Sequence, residues 1–87
     1  MGKIDEAIEL FENDRFKEAL DIFKELAKEQ NSEAMYYIGV CYYEGWGVEK
    51  DLEEAKKWWK MADRRGSLDA KYMLQTISTD SSVFGRE

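Results

Sequence analysis

The sequence predicts an all-α fold built from consecutive helix-turn-helix units. The chain contains no proline, and residues that favour helices, such as alanine, leucine, glutamate and lysine, are abundant in it. Its apolar residues recur three or four positions apart, which is the spacing of one face of a helix. Short turns of polar residues or glycine separate these periodic segments. A compact array of helices therefore fits the sequence better than a fold containing strands.

Two helices are predicted in the first 30 residues. Apolar residues lie at helical spacing from Ile4 to Phe11, and the pair Asn13-Asp14 interrupts the pattern. A second helix is predicted over residues 15–29, where apolar side chains occupy one face and charged side chains the other. The pair Asn31-Ser32 then closes this helix and can cap the next one.

A third helix is predicted over residues 32–44 and a fourth over 51–65. Gly39 lies inside the third helix, where glycine costs about 1 kcal/mol relative to alanine. Close approach of a second helix would offset this cost. Ala55 and Ala62 on the fourth helix are the small residues predicted to form the seam there.

Glycines mark the two later turns. The motif Gly45-x-Gly47 is expected to give the backbone the freedom to turn before Asp51, which is predicted to cap the fourth helix. Gly66 ends that helix, and a fifth, capping helix is predicted over 67–78. Residues 79–87 are polar and are predicted to form a disordered tail.

The central part of the chain carries small, glycine and aromatic residues at regular intervals. These positions are Ala34, Ile38, Gly39, Tyr42, Gly45, Gly47, Val48, Asp51, Ala55, Trp58, Trp59, Ala62, Gly66 and Ala70. The pattern resembles the Sel1-like repeat, a relative of the tetratricopeptide repeat (TPR). Ala34 and Ala70 are 36 positions apart, and so are Ala19 and Ala55, so the periodicity extends beyond the central unit.

The resemblance implies antiparallel helix-turn-helix repeats in a short right-handed α-α superhelix of about five helices. We predict one helical-repeat domain over residues 1–78, followed by the tail at 79–87. Within the domain we expect a TPR-like unit at 3–30, a Sel1-like unit at 32–66 and the capping helix at 67–78. The short polar turn of the first unit fits the parent family better than the Sel1-like branch.

Composition and charge exclude several classes of function. A net charge of -6 argues against nucleic acid or an anionic membrane as the partner. The single cysteine excludes an internal disulfide, and no apolar run approaches the ~18 residues of a membrane span. The sequence therefore predicts a cytoplasmic protein, with a removed leader as the open alternative.

The residues that usually carry catalysis are scarce. Histidine is absent, so the common base near neutral pH and the commonest metal ligand are both missing. Cys41 is predicted to be a buried apolar residue, since no histidine or second cysteine could activate it. We predict no enzymatic activity, no catalytic residue, no metal site and no cofactor.

Trp58 and Trp59 are adjacent on the fourth helix and point about 100° apart, so they cannot both face one core. We predict that one fills the space between helices while the other packs toward the following repeat, and that both belong to the core. An aromatic platform for a ligand is the alternative interpretation.

The resemblance also implies where a partner would bind. In such repeats the first helix of each unit lines a concave groove that accepts an extended peptide or a partner helix. The corresponding residues are Ile8, Phe11, Glu12, Glu33, Tyr36, Val40, Tyr43, Glu44, Asp69, Tyr72 and Thr76. Aromatic and acidic groups alternate among them, which favours a basic partner segment with apolar anchors. The sequence thus predicts a protein-binding adaptor or scaffold.

Self-assembly is the alternative function. Stacked repeats usually need about three units for independent stability, because each unit buries its apolar face on its neighbour. The exposed end of the fifth helix or the tail pair Val83-Phe84 could therefore pair with another copy. We predict a monomer or a weak homo-oligomer.

Overall fold

The computed structural model describes residues 2–86, and it describes side chains for residues 2–77. Within the described range the chain forms five helices and no strand. The helices are α1 (Lys3–Glu12), α2 (Phe16–Lys28), α3 (Ser32–Glu44), α4 (Leu52–Arg64) and α5 (Leu68–Arg86). The predicted all-α fold of about five helices is confirmed.

Consecutive helices pack against each other in a row. The main contacts join α1 to α2, α2 to α3, α3 to α4 and α4 to α5, and the pair α3 and α4 is the most extensive. Three of the four connections have three residues and the one between α3 and α4 has seven; packed neighbours joined by connections of this length run antiparallel. The molecule measures 47 × 25 × 17 Å. None of the described helices combines the length and the apolar composition that crossing a bilayer requires.

The contact between α3 and α4 depends on Gly39. A Cβ atom at this position would lie 2.3 Å from Nε1 of Trp59, and Trp59 is fully buried. The indole N–H of Trp59 donates a hydrogen bond to the carbonyl oxygen of Tyr36 at 3.0 Å. The predicted close approach at Gly39 is therefore confirmed. The group that approaches is an aromatic ring, whereas the predicted seam alanines, Ala55 and Ala62, are buried nearby on α4.

The turn between α3 and α4 has the predicted chemistry. Gly45 and Gly47 adopt φ angles of 77° and 78°, which belong to the left-handed region that favours glycine. Oδ1 of Asp51 accepts hydrogen bonds from the backbone N–H groups of Glu53 and Glu54, at 3.1 and 3.2 Å. Asp51 is thus the N-cap of α4, where it satisfies N–H groups that have no partner within the helix.

The core runs along the row and is built from small aliphatic side chains around a few large ones. Its largest fully buried side chains are Trp59, Phe23, Ile38 and Cys41. Trp59, and not Trp58, is therefore the tryptophan buried between the helices. Trp58 is half-buried and lines an open groove of about 440 Å³ beside α2. The predicted core position therefore holds fully for Trp59 and only in part for Trp58, which packs against the edge of the core because the helix rotates it about 100° away from Trp59.

The last helix is longer than predicted. The sequence predicts an end at residue 78, but α5 continues to Arg86, so residues 79–86 belong to a helix and not to a disordered tail. No proline interrupts this segment, and its serine, threonine and aspartate residues are compatible with a helix. The pair Val83-Phe84 lies outside the residues whose side chains the structure describes.

Candidate partner-binding surface

Two neighbouring tyrosines on α3 form the centre of an aromatic cluster. The ring of Tyr37 stacks on Phe23 of α2, with centroids 4.9 Å apart and an interplanar angle of 2°. Phe11 of α1 meets Tyr37 edge-on at 5.0 Å, and Tyr36 meets it edge-on at 5.3 Å. Aromatic pairs in these arrangements contribute about 0.5 to 1.5 kcal/mol beyond their burial. The cluster therefore fixes the position of α3 relative to α1 and α2.

Acidic groups from three helices surround the two phenols. Burial is the main cause that raises the pKa of Tyr36 and of Tyr37 above the ordinary value of 10.0. Asp69 of α5 raises the pKa of Tyr36 further. For Tyr37 the pKa is also raised by Glu33, Tyr36, Glu12 and Asp69. Carboxylates of α1, α3 and α5 thus act on one surface, which we call the tyrosine face: Tyr36, Tyr37, Glu12, Glu33 and Asp69.

The central hairpin, formed by α3, the glycine turn and α4, matches a known repeat. A family model described as the Sel1 repeat matches residues 32–67. Residues 32–67 are therefore similar to a Sel1 repeat, and we call this stretch the Sel1 repeat. The matched residues agree with the unit predicted at 32–66, which confirms the resemblance. Sel1 repeats generally mediate protein–protein interactions and are typically non-catalytic. No curated protein matches this sequence closely enough to be called a relative.

The Sel1 repeat supplies the middle of the predicted groove. Six of the eleven predicted residues are exposed: Glu12, Glu33, Glu44, Asp69, Tyr72 and Thr76. The other five, Ile8, Phe11, Tyr36, Val40 and Tyr43, are half-buried and pack against the core. Four of the predicted residues, Tyr36, Glu12, Glu33 and Asp69, act electrostatically on the neighbouring Tyr37. Tyr43 instead packs on Trp59 of α4, with ring centroids 5.5 Å apart.

Tyr37 is missing from the residues predicted for the groove. It lies within the Sel1 repeat, stacks on α2, and receives the influence of carboxylates from α1, α3 and α5. The only sequence signal for it is its position beside Tyr36. Because adjacent helical residues point about 100° apart, choosing Tyr36 for the groove directs Tyr37 toward α2, and only the packed structure shows that both share this surface.

Cys41 of the Sel1 repeat is fully buried, and burial raises the pKa of its thiol from 9.0 to about 12. A thiol that stays protonated and has no access to solvent is a poor nucleophile. Among the described residues, no three histidine, cysteine, aspartate or glutamate side chains are grouped so that they could hold a metal ion.

The buried thiol gives a prediction about alkaline pH. In the folded protein Cys41 ionises near pH 12, whereas in the unfolded chain it ionises near pH 9, so unfolding releases a proton in between. Its contribution to stability is fully present below pH 9 and is lost as the pH rises toward 12. We therefore expect the urea midpoint to fall between pH 8.5 and 10 more steeply for the wild type than for Cys41→Ala, with thiol labelling only after unfolding. Equal slopes for the two proteins would contradict this.

Proposed function

We propose that this chain is a non-catalytic adaptor or scaffold that binds a peptide or a partner helix on the surface lined by α1, α3 and α5. The tyrosine face is the observation that carries the proposal, since it joins rigid aromatic groups to carboxylates from all three helices. The partner is a protein segment with lysine or arginine residues between apolar anchors. The binding uses no cofactor.

Two physical properties of the tyrosine face support this partner. Tyrosine provides a large contact area at a low cost in conformational entropy, because its side chain has only two torsions to fix, and the ring combines an apolar body with a polar tip. Glu12, Glu33 and Asp69 are exposed, so a partner can reach them. Carboxylates around an apolar centre accelerate the encounter with a cationic segment and disfavour an anionic one.

Exposed apolar groups on α5 extend the surface beyond the tyrosine face. Leu68 is 78% exposed and Tyr72 is 66% exposed, and the two lie one turn apart on the same side of the helix. A partner that follows the row of helices from the tyrosine face would meet these side chains next. They also favour the second candidate function, in which the end of the row pairs with another copy of the chain. Sedimentation at increasing protein concentration distinguishes self-assembly from the adaptor function, because the measured mass rises only if the chain self-associates.

A charge-reversal experiment tests the adaptor proposal. Peptides that bind the full chain would be selected from a random displayed library, and we expect basic residues between apolar ones in those selected. The triple variant Glu12→Lys, Glu33→Lys and Asp69→Lys should weaken a selected peptide at least about tenfold, because it replaces the attraction with repulsion. The measurement is the Kd by titration calorimetry.

The matched control changes the same charge elsewhere. Asp21, Glu29 and Glu49 are exposed, and none of them contributes to the raised pKa of either tyrosine. Reversing these three residues to lysine should leave the Kd within about twofold. Selection of acidic peptides, or an equal loss of affinity in both triple variants, would show that the tyrosine face is not the binding surface.

A further inference from the structure

Three aromatic rings meet beside the tyrosine face, where the turn of the Sel1 repeat reaches the first hairpin. Trp46 stacks on Phe16 of α2, with centroids 4.9 Å apart and an interplanar angle of 18°. Phe11 of α1 meets Phe16 edge-on at 5.3 Å and Trp46 at 5.8 Å. The rings line an open groove of about 580 Å³ together with Glu12 and Asp14. We call this groove the Trp46 pocket.

Gly47 holds Trp46 in place. A Cβ atom at Gly47 would lie 2.9 Å from Cβ of Phe16 and 3.1 Å from its carbonyl carbon, so only glycine lets the turn rest directly on the start of α2. The φ angle of Gly47 is also in the left-handed region. The preceding residue, Trp46, is thereby set against Phe16. The Trp46 pocket is therefore formed by packed groups before any ligand arrives.

Trp46 nevertheless remains 38% exposed. This is a large exposed fraction, because tryptophan side chains are highly buried on average. The indole of Trp46 stacks on Phe16, and Trp46 is one of the residues that line the groove. An exposed indole at the wall of a groove, beside further aromatic rings, is a suitable surface for a flat ligand group.

The charge of the Trp46 pocket has one sign. Glu12 and Asp14 are both exposed, and none of the five lining residues is basic. The basic residues on either side of Phe16, Arg15 and Lys17, line the adjoining depression, and Arg15 pairs there with Glu18 at 3.6 Å. The two carboxylates therefore stand beside the aromatic rings without a lysine or arginine of the same groove to neutralise them.

We propose that the Trp46 pocket binds an arginine side chain of the partner protein. A guanidinium is planar, stacks on aromatic faces and donates paired hydrogen bonds to carboxylates, which are the two kinds of group that this groove offers. The ammonium of lysine is a compact and strongly hydrated charge that cannot stack in this way. This inference rests on the proposed function, because the bound arginine would be one of the basic residues of the proposed partner segment.

Small probes test the Trp46 pocket without any partner protein. The full chain, labelled with ¹⁵N, would be titrated with N-acetyl-arginine amide and with the neutral analogue N-acetyl-citrulline amide. We expect arginine amide to shift the indole N–H signal of Trp46 in a saturable way, with a Kd in the millimolar range expected for one side chain. The indole N–H of Trp59 should stay constant, because it is buried and bonded to Tyr36.

Substitution of the two carboxylates provides the second arm. The double variant Glu12→Gln and Asp14→Asn should weaken arginine amide at least about fivefold, since it removes both charges but keeps the shape of the groove. Asparagine suits position 14, where φ is 65° and asparagine is one of the residues that tolerate this conformation. The matched variant Asp21→Asn and Glu29→Gln should leave the Kd unchanged.

Several outcomes would overturn the assignment. They are the absence of saturation at Trp46, an equal response to citrulline amide, and an equal affinity for N-acetyl-lysine amide. These results would leave the proposed adaptor function standing. Its test selects peptides on the full chain and changes Glu33 and Asp69, which lie outside the Trp46 pocket, together with Glu12, which the two sites share. Conversely, saturable arginine binding combined with a failed peptide selection would support the Trp46 pocket as an arginine site and contradict the tyrosine face as a peptide-binding surface.

Discussion

Replacing Trp59 with alanine should lower the free energy of unfolding by about 3 to 5 kcal/mol. Trp59 is the largest fully buried side chain, and its indole N–H bonds to the carbonyl oxygen of Tyr36. The variant loses that burial and leaves a cavity between α3 and α4 that the rest of the helix pair fills only in part. A domain of this size has roughly 5 to 10 kcal/mol of stability. Urea denaturation followed by circular dichroism measures the loss.

The neighbouring tryptophan provides the control for this substitution. Trp58 is half-buried and borders an open groove, so Trp58→Ala removes less buried area and leaves no closed cavity. We expect its cost to be clearly smaller than that of Trp59→Ala. Equal losses for the two variants would mean that the two indoles are buried to the same degree, which contradicts the observed packing.

Replacing Gly39 with alanine should also destabilise the protein, by about 2 kcal/mol, which corresponds to a melting temperature about 10 °C lower. A loss of stability is informative here because alanine is favoured over glycine in a helix by about 1 kcal/mol, so helix propensity alone predicts a gain. The added Cβ would lie 2.3 and 2.5 Å from two atoms of the rigid Trp59 ring, so α3 and α4 must separate. Differential scanning calorimetry measures the change.

The same substitution in a second background isolates the cause. When Trp59 is already alanine, or leucine if that variant is too unstable, the Cβ at position 39 no longer meets the indole ring. Gly39→Ala should then be neutral or should stabilise by up to about 1 kcal/mol, so its sign reverses between backgrounds. A loss of the same size in both backgrounds would assign the effect to something other than the indole contact.

Much of the fold could be predicted from the sequence because its signals are local. Gly45, Gly47 and Asp51 define the turn of the Sel1 repeat by backbone conformation and capping, and both depend on few neighbours. The choice between Trp58 and Trp59 could not be predicted, since either indole would suit a helix interior. Which of the two tryptophans is buried depends on how α4 is rotated against α3, and this rotation is a property of the packed helix pair.

Part of the candidate site could also be predicted from the sequence. Helical repeats place equivalent faces side by side, so the sequence predicts Glu12, Glu33 and Asp69 on one surface. Tyr37 and Trp46 could not be assigned. The position of Tyr37 depends on stacking against Phe23 from another helix, and that of Trp46 depends on how closely Gly47 approaches α2.

The row of helices also bears on how the molecule folds and opens. Because its main contacts join consecutive helices, packed side chains are close in sequence, and chains with such local contacts close small loops and fold fast. Each terminal helix has one principal neighbour, so it can detach without dismantling the remainder. The hairpin of α3 and α4 is held from both sides. We therefore expect the protein to loosen from its ends inward, with this hairpin opening last.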